Sequence, residues 1–193
     1  MLPPGADIAL ALWVLHAWTM DAGEISPFIV LVSSPKRCGK TRVIAIPDAP
    51  IGAGKQYHGP ALFRYIEAVR PTLLIDEADS FVKDNEELRG ILNGGHTKVA
   101  ANVIRNVEVN GEHKPRRFST WAAKAIATIR KLADTLEDRS VIVTLQRKPR
   151  DAKVERLRRR DTEEFKILRS QAARWAADNF DNWSIPTPRS PRS

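Results

Sequence analysis

Residues 28–41 read FIVLVSSPKRCGKT, a run of five apolar residues that leads directly into a polar loop ending in Gly39-Lys40-Thr41. Five consecutive apolar residues are typical of a strand buried in a parallel sheet. The loop matches the motif GxxxxGK[ST], in which backbone N–H groups hold phosphate oxygens, the lysine reaches the terminal phosphates and the hydroxyl binds Mg²⁺. The stretch therefore predicts a strand followed by a binding site for ATP and Mg²⁺.

The predicted phosphate-binding loop departs from the motif at one place. Ser34 stands where the motif has glycine, and a serine is unfavourable there if the backbone must adopt a positive φ. Cys38 lies within the same loop and has two interpretations, a packed thiol or a reactive one. Short motifs also occur by chance, but an apolar strand ahead of the loop is the context that supports a genuine site. The predicted contacts to the nucleotide come from Ser34, Pro35, Lys36, Arg37, Cys38, Gly39, Lys40 and Thr41.

A second motif, LLIDE at residues 73–77, places two carboxylates directly after a short apolar strand. Ligands of open α/β sheets bind at the carboxyl ends of the strands, so this motif and the loop are expected to face the same crevice. Asp76 is predicted to hold the Mg²⁺ together with the Thr41 hydroxyl, and Glu77 to act as the general base that activates the attacking water. The alternative interpretation is an acidic helix N-terminus, where Asp and Glu are also favoured.

The composition favours a folded chain in a reducing compartment. Of the 193 residues, 42% are hydrophobic and five are tryptophan, which argues against disorder. The single cysteine excludes a disulfide framework and a cysteine-based zinc cluster, and it favours a reduced, cytoplasmic location. The apolar stretch at residues 8–18 is too short to span a bilayer and no Lys or Arg precedes it. Neither a membrane-spanning helix nor a secretory signal is therefore predicted.

The order of the predicted elements is that of an α/β protein. Helical and strand patterns alternate along the chain, and the pair Asn110-Gly111 is a strong signal for a β-hairpin. We expect a three-layer P-loop NTPase fold with a mostly parallel sheet, an inserted β-hairpin and a C-terminal helical segment. The predicted helices cover residues 7–20 (buried), 39–46, 60–70, 85–92 and 131–138, and the predicted strands cover 28–32, 73–75, the hairpin 103–119, 121–129 and 140–145.

Three parts of the chain are predicted from these patterns. Residues 1–150 are expected to form the ATPase core with its N-terminal helix. Residues 151–184 are basic and carry apolar side chains at spacings of three and four, which predicts a C-terminal helical segment. Residues 185–193 contain three prolines and show no periodicity, which predicts a disordered tail.

Positive charge is concentrated in two places. The formal net charge is +8, and both the hairpin and the segment after the last predicted strand are basic. Clustered Lys and Arg are typical of surfaces that bind the phosphate backbone of single-stranded or duplex DNA, or of RNA. An exposed hairpin and a solvated helix face are the alternative interpretations. The predicted nucleic-acid contacts are Lys114, Arg116, Arg117, Arg147, Lys148 and Arg150.

Several phrases of the chain resemble a known family. They are SPKRCGKTR, PALFRYIEAVRPTLLIDEADSF, DNEELRGILNGGH, RRFSTWAAKAIATI, LADTLEDRSVIV and ARWAADN. Together they look closely like the DUF3631-type P-loop domain of bacterial phages and mobile elements, over most of the chain. That domain often accompanies primase or helicase-like modules, so the resemblance implies a role in replicating mobile DNA, with a primase or helicase as a partner.

The same domain is similar to the AAA+ branch of P-loop ATPases, and this similarity implies two further roles. Thr128, at the end of the strand after the acidic motif, would sense the γ-phosphate. Arg139, just before the last strand, would act as an arginine finger in the site of a neighbouring subunit, which implies a ring-shaped homo-oligomer. Such an arginine raises the rate by several orders of magnitude. The alternative for Arg139 is a salt bridge with Glu137 or Asp138.

Three functional classes are compatible with these features. The first is an ATPase that acts on nucleic acid as a helicase, translocase or loader, and Glu77, Arg139 and the basic segment favour it. The second is a catalytically weak or inactive nucleotide-binding module that binds DNA or a replication partner. Ser34 favours this class, as does Pro47, which stops the helix after the loop early. The third is a small P-loop kinase, which is disfavoured because the LLIDE motif suits water activation.

Overall fold

The computed structural model describes residues 1–33, 60–76, 78, 86–129, 132–147, 149 and 162–183. Within these ranges helices and strands alternate, which confirms the predicted α/β class. The helices are α1 (Ala6–Trp18), α2 (Pro60–Val69), α3 (Glu86–Gly94), α4 (Asp134–Glu137) and α5 (Thr162–Asn179), and the strands are β1 (Phe28–Val32), β2 (Leu73–Ile75), β3 (Asn102–Val109), β4 (Glu112–Ser119), β5 (Lys124–Thr128) and β6 (Ser140–Thr144).

The central sheet has four strands in the order β2-β5-β1-β6, and every neighbouring pair is parallel. Strand β1 lies inside the sheet, where Val30 is level with Ile126 of β5 and Ile142 of β6. Its first four residues are buried. A parallel strand covered on both faces needs apolar side chains in both directions, which explains the uninterrupted apolar run of residues 28–32.

Helices cover both faces of this sheet, so the domain has three layers. Side chains of β1 alternate between two hydrophobic clusters because successive residues of a strand point to opposite faces. Phe28 and Val30 join the cluster that contains α2 and α3, and the main members from those helices are Phe63, Ile66, Leu88, Ile91 and Leu92. Ile29 and Leu31 join the cluster that contains Trp13 of α1.

Helix α1 begins and ends close to the predicted boundaries, but only part of its surface is covered. Trp13 is buried, and its Nε1 donates a hydrogen bond of 2.9 Å to the carbonyl of Pro27. Ile8 and Leu12 are 63% and 61% exposed. The expectation of a buried helix is therefore wrong for one side of α1, because an apolar pattern does not reveal which side a neighbour covers.

The predicted hairpin is confirmed, with β3 and β4 paired in an antiparallel register. Asn110 and Gly111 form its turn, and both have positive φ, at 55° and 81°, as a type I′ turn requires. Phe118 anchors the hairpin to the body of the domain, where its ring makes an edge contact with Phe63 at 4.7 Å between centroids.

Other predicted elements are shorter in the structure. The strand expected at 121–129 is Lys124–Thr128, and the helix expected at 131–138 is Asp134–Glu137. The described part of the C-terminal segment is the helix Thr162–Asn179 followed by one 3₁₀ turn. The predicted helix at 39–46, residues 151–161 and the tail at 185–193 lie outside the described residues. In the described part of the chain, no helix combines the length and apolarity needed to cross a membrane.

Candidate functional site

The carboxyl ends of the parallel strands form one edge of the sheet. Ser33, which follows β1, donates from its backbone N–H to the carbonyl of Thr128 at 3.2 Å. Asp76 follows β2 directly, on the other side of β5. Neighbouring strands are about 4.8 Å apart, so β1 and β2 are separated by about 10 Å, with the end of β5 between them. Thr128 therefore lies between the start of the predicted phosphate-binding loop and the acidic motif.

Thr128 and Asp76 differ in their environments. The side chain of Thr128 is fully buried at the end of β5, level with Val32. Asp76 is half-buried and lies where β2 ends. A buried hydroxyl and a more accessible carboxylate thus lie at the carboxyl edge of the sheet, which is the edge where ligands of open α/β sheets bind.

Part of the predicted site is not described. The loop residues 34–41 and the predicted base Glu77 lie outside the described residues. Asp76, Thr128 and Arg139 are described, and the structure brings the first two to the same edge of the sheet. Oxygen donors such as the Asp76 carboxylate and the Thr41 hydroxyl are the ligands that Mg²⁺ prefers.

Arg139 lies at the opposite end of the sheet from Asp76. It follows α4 and immediately precedes β6, and its carbonyl accepts a hydrogen bond of 3.0 Å from the N–H of Phe28, the first residue of β1. The strand β6 extends about 13 Å between this point and the carboxyl edge. The guanidinium donates from Nη1 to the carbonyl of Asn93 at 2.7 Å. Arg139 is thus separated from the site of its own chain.

The three hairpin residues that were predicted to contact nucleic acid do not form a single cluster. Residues of a strand alternate between its two faces, so Lys114 and Arg116 share the face of Phe118, and Arg117 lies on the other face. The pleat of the sheet therefore separates cations that lie close together in the sequence.

Intramolecular contacts engage all three of these side chains. Arg116 pairs with Glu67 of α2 at 2.8 Å, and its guanidinium carbon lies 4.5 Å from the centre of the Phe118 ring. Lys114 pairs with Glu112 at 2.9 Å, and Arg117 donates to the carbonyl of Val99 at 3.1 Å. Of the predicted cations after β6, Arg147 is exposed, and Lys148 and Arg150 lie outside the described residues.

The structure also contains a fully buried lysine that the sequence analysis did not identify. Lys124 begins β5, and its ammonium donates hydrogen bonds to the carbonyls of Ala122 at 2.8 Å, Thr120 at 3.3 Å and Gly95 at 3.4 Å. It also lies 5.8 Å from the centre of the Phe28 ring. Burial lowers the pKa of Lys124 to about 7. The signal in the sequence was a single charge inside the otherwise apolar run at residues 121–127.

Replacing Lys124 by methionine is expected to change how stability depends on pH. The pKa of Lys124 is about 7 in the folded chain, and its ordinary value of 10.5 applies in the unfolded chain. Between these two pH values the unfolded chain therefore binds more protons than the folded chain. The free energy of unfolding of the wild type should therefore rise with pH in this window, by several kcal/mol, since one pKa unit corresponds to about 1.4 kcal/mol. Lys124→Met should not show this rise. The measurement is urea denaturation of both proteins at a series of pH values. If the free energy of unfolding changed with pH in the same way in both proteins, the lowered pKa of Lys124 would be contradicted.

Comparison with models of known protein families and with curated proteins finds no match to this chain.

Proposed function

We propose that the chain is a P-loop ATPase that binds and hydrolyses ATP with Mg²⁺ and acts on nucleic acid. The observation that carries the proposal is the strand order, in which β5 separates β1 from β2. This order places the buried hydroxyl of Thr128 between Ser33, which leads into the loop, and Asp76. In this proposal the nucleotide lies across the carboxyl edge, with its terminal phosphate near the end of β5.

Each residue of the site has a distinct role in this proposal. Backbone N–H groups of the loop and the Lys40 ammonium hold the phosphates, and the Thr41 hydroxyl and Asp76 hold Mg²⁺. Bound Mg²⁺ would neutralise part of the charge on the phosphates. Glu77 accepts a proton from the attacking water and orients it. Thr128 reports whether the γ-phosphate is present.

Arg139 supports a homo-oligomeric ring in this proposal. It lies at the amino end of β6, away from the carboxyl edge that carries Asp76. An arginine in this position serves a neighbouring subunit's site better than its own, and it would stabilise the charge that develops on the transferred phosphoryl group. Its hydrogen bond to the Asn93 carbonyl would then be exchanged for a contact with the neighbour.

The excess of positive charge supports nucleic acid as the second ligand. The net charge of +8 gives an attractive field for a phosphate backbone. Lys114 remains 61% exposed, and Arg147 is also exposed. Phage or mobile-element replication, with helicase, translocase or loader activity, is the biological setting that the family resemblance suggests. A primase or helicase is the partner class that it suggests.

A weak or inactive nucleotide-binding module is the second candidate. Ser34 at the glycine position of the loop favours it, since serine tolerates positive φ less well than glycine. Such a module would bind ATP and DNA, or a replication partner, without turnover.

Lys40→Ala is expected to abolish ATP turnover. Removing a charge that stabilises the transferred phosphoryl group costs about 10²–10³-fold in rate. The measurement is release of phosphate from Mg-ATP, with and without single-stranded and duplex DNA, and wild-type turnover should increase when DNA is present. Lys166→Ala removes the same charge from an exposed position on α5 and should keep the wild-type rate. Binding of ATP without turnover under every condition would favour the inactive module instead.

A further inference from the structure

Three arginines surround a pair of buried aromatic rings where the hairpin meets α2. Phe63 of α2 and Phe118 of β4 are 1% and 2% exposed, and their ring centres are 4.7 Å apart. The guanidinium carbon of Arg116 lies 4.5 Å from the centre of the Phe118 ring, and that of Arg105 lies 5.5 Å from the centre of the Phe63 ring. The guanidinium carbon of Arg64 lies 5.9 and 6.0 Å from the two centres. Attraction between cations and aromatic rings therefore holds three guanidinium groups in one area.

Two of these arginines oppose each other across the hairpin. Arg105 of β3 and Arg116 of β4 are direct partners in the antiparallel register, so both side chains lie on the same face. Like charges directly opposite each other in a sheet are destabilising. An arrangement that disfavours folding is expected mainly at functional sites, so this pair indicates a surface that binds an anion.

Carboxylates of the chain offset only part of this positive charge. Glu87 pairs with Arg105 at 2.9 Å, and Glu67 pairs with Arg116 at 2.8 Å. Arg64 is exposed and forms no ion pair with any residue that the structure describes. The side chains of Arg105 and Arg116 are also 43% and 57% exposed. Because a guanidinium has five N–H donors, the two paired arginines keep donors for a further acceptor.

We propose that Arg64, Arg105 and Arg116 form an arginine surface that binds the phosphate backbone of a nucleic acid without reading its bases. This inference rests on the proposed function, in which nucleic acid is the second ligand, and it assigns the contact to α2 and to one face of the hairpin. Guanidinium groups bind phosphate oxygens through paired N–H donors. Stacking on bases requires accessible aromatic rings, and both rings of this surface are buried. Arg117 lies on the other face of the hairpin and is not part of the surface.

The experiment measures how the affinity of the full chain for a labelled duplex, and for one of its single strands, depends on NaCl concentration. Removing one contact to a phosphate should lower the slope of log affinity against log salt by about one. Arg64→Gln and Arg105→Gln should each show this change and should weaken binding by about tenfold at low salt, as expected for loss of a hydrogen bond between charged groups. Duplexes of unrelated sequence should give the same result. Arg174→Gln removes a charge from an exposed position on α5 and should keep the wild-type slope.

Three results would overturn the proposal. An unchanged slope in Arg64→Gln and Arg105→Gln, with duplex binding intact, would place the nucleic acid elsewhere on the chain and leave the proposed function standing. Displacement of the duplex by poly-glutamate at an equal concentration of charge would assign the surface to an acidic protein. If the wild type hydrolysed ATP but bound neither duplex nor single strand, nucleic acid would be removed from the proposed function as well. Because Arg64 is exposed and unpaired among the described residues, Arg64→Gln tests the surface without breaking an ion pair of the fold.

Discussion

Glu77→Gln is expected to lower the rate of ATP hydrolysis by about 10²–10⁴-fold and to leave ATP binding close to that of the wild type. Glutamine keeps the size and polarity of the side chain but cannot accept the proton of the attacking water. The carboxylate that binds Mg²⁺ in the proposed site belongs to Asp76, so nucleotide affinity should persist. The measurement pairs phosphate release with binding of a fluorescent ATP analogue.

The matched control for this prediction is Glu86→Gln. Glu86 is an exposed residue in the first turn of α3, and its neutralisation should leave both readouts unchanged. Wild-type turnover in Glu77→Gln would exclude Glu77 as the base. Loss of both binding and turnover would instead assign Glu77 to holding the nucleotide. Lys40→Ala differs from both, since it removes a side chain that is proposed to contact the phosphates directly.

Gly95→Ala is expected to destabilise the chain by roughly 2–4 kcal/mol. A Cβ at position 95 would collide with the Lys124 ammonium and would lie 2.6 Å from the carbonyl oxygen of Ile91. Neither obstacle can move easily, because Lys124 is fully buried among backbone carbonyls and Ile91 belongs to the backbone of α3. The measurement is urea denaturation at neutral pH.

Gly90→Ala is the control in the same helix. Position 90 is exposed, and apart from its chain neighbours and the backbone of its own helix, no atom of the described residues lies within 4 Å of a Cβ built there. Alanine should therefore stabilise α3 by up to about 1 kcal/mol through its higher helix propensity. The two glycine substitutions should thus change the free energy of unfolding in opposite directions. A similar free energy of unfolding for both variants would show that the contact between Gly95 and Lys124 does not restrict side-chain size.

Much of the fold could be predicted because its signals are local. The buried strand at residues 28–32 follows from an apolar run, and the hairpin follows from a pair of residues that tolerate positive φ. The ends of β5 and α4 were predicted less well, because apolar content extends beyond the residues that make strand or helix hydrogen bonds.

The candidate site could be predicted only in part. Asp76 was predicted at a strand end by its position after an apolar run, and Thr128 by the similarity to AAA+ ATPases. The structure puts both at one edge of the sheet. The hairpin cations were grouped by sequence, but the pleat separates Arg117 from Lys114 and Arg116. Lys124 and Trp121 were not identified, since their burial depends on residues distant in the chain.

The sequence alone determined the α/β class, the buried character of β1 and the turn at Asn110-Gly111, because each depends on the conformations and side-chain polarity of adjacent residues. Tertiary structure alone decided that β5 lies between β1 and β2, and that Lys124 reaches the Gly95 carbonyl 29 positions earlier in the chain. Strand order and burial are set by contacts between distant segments, and a local pattern does not specify which segments meet.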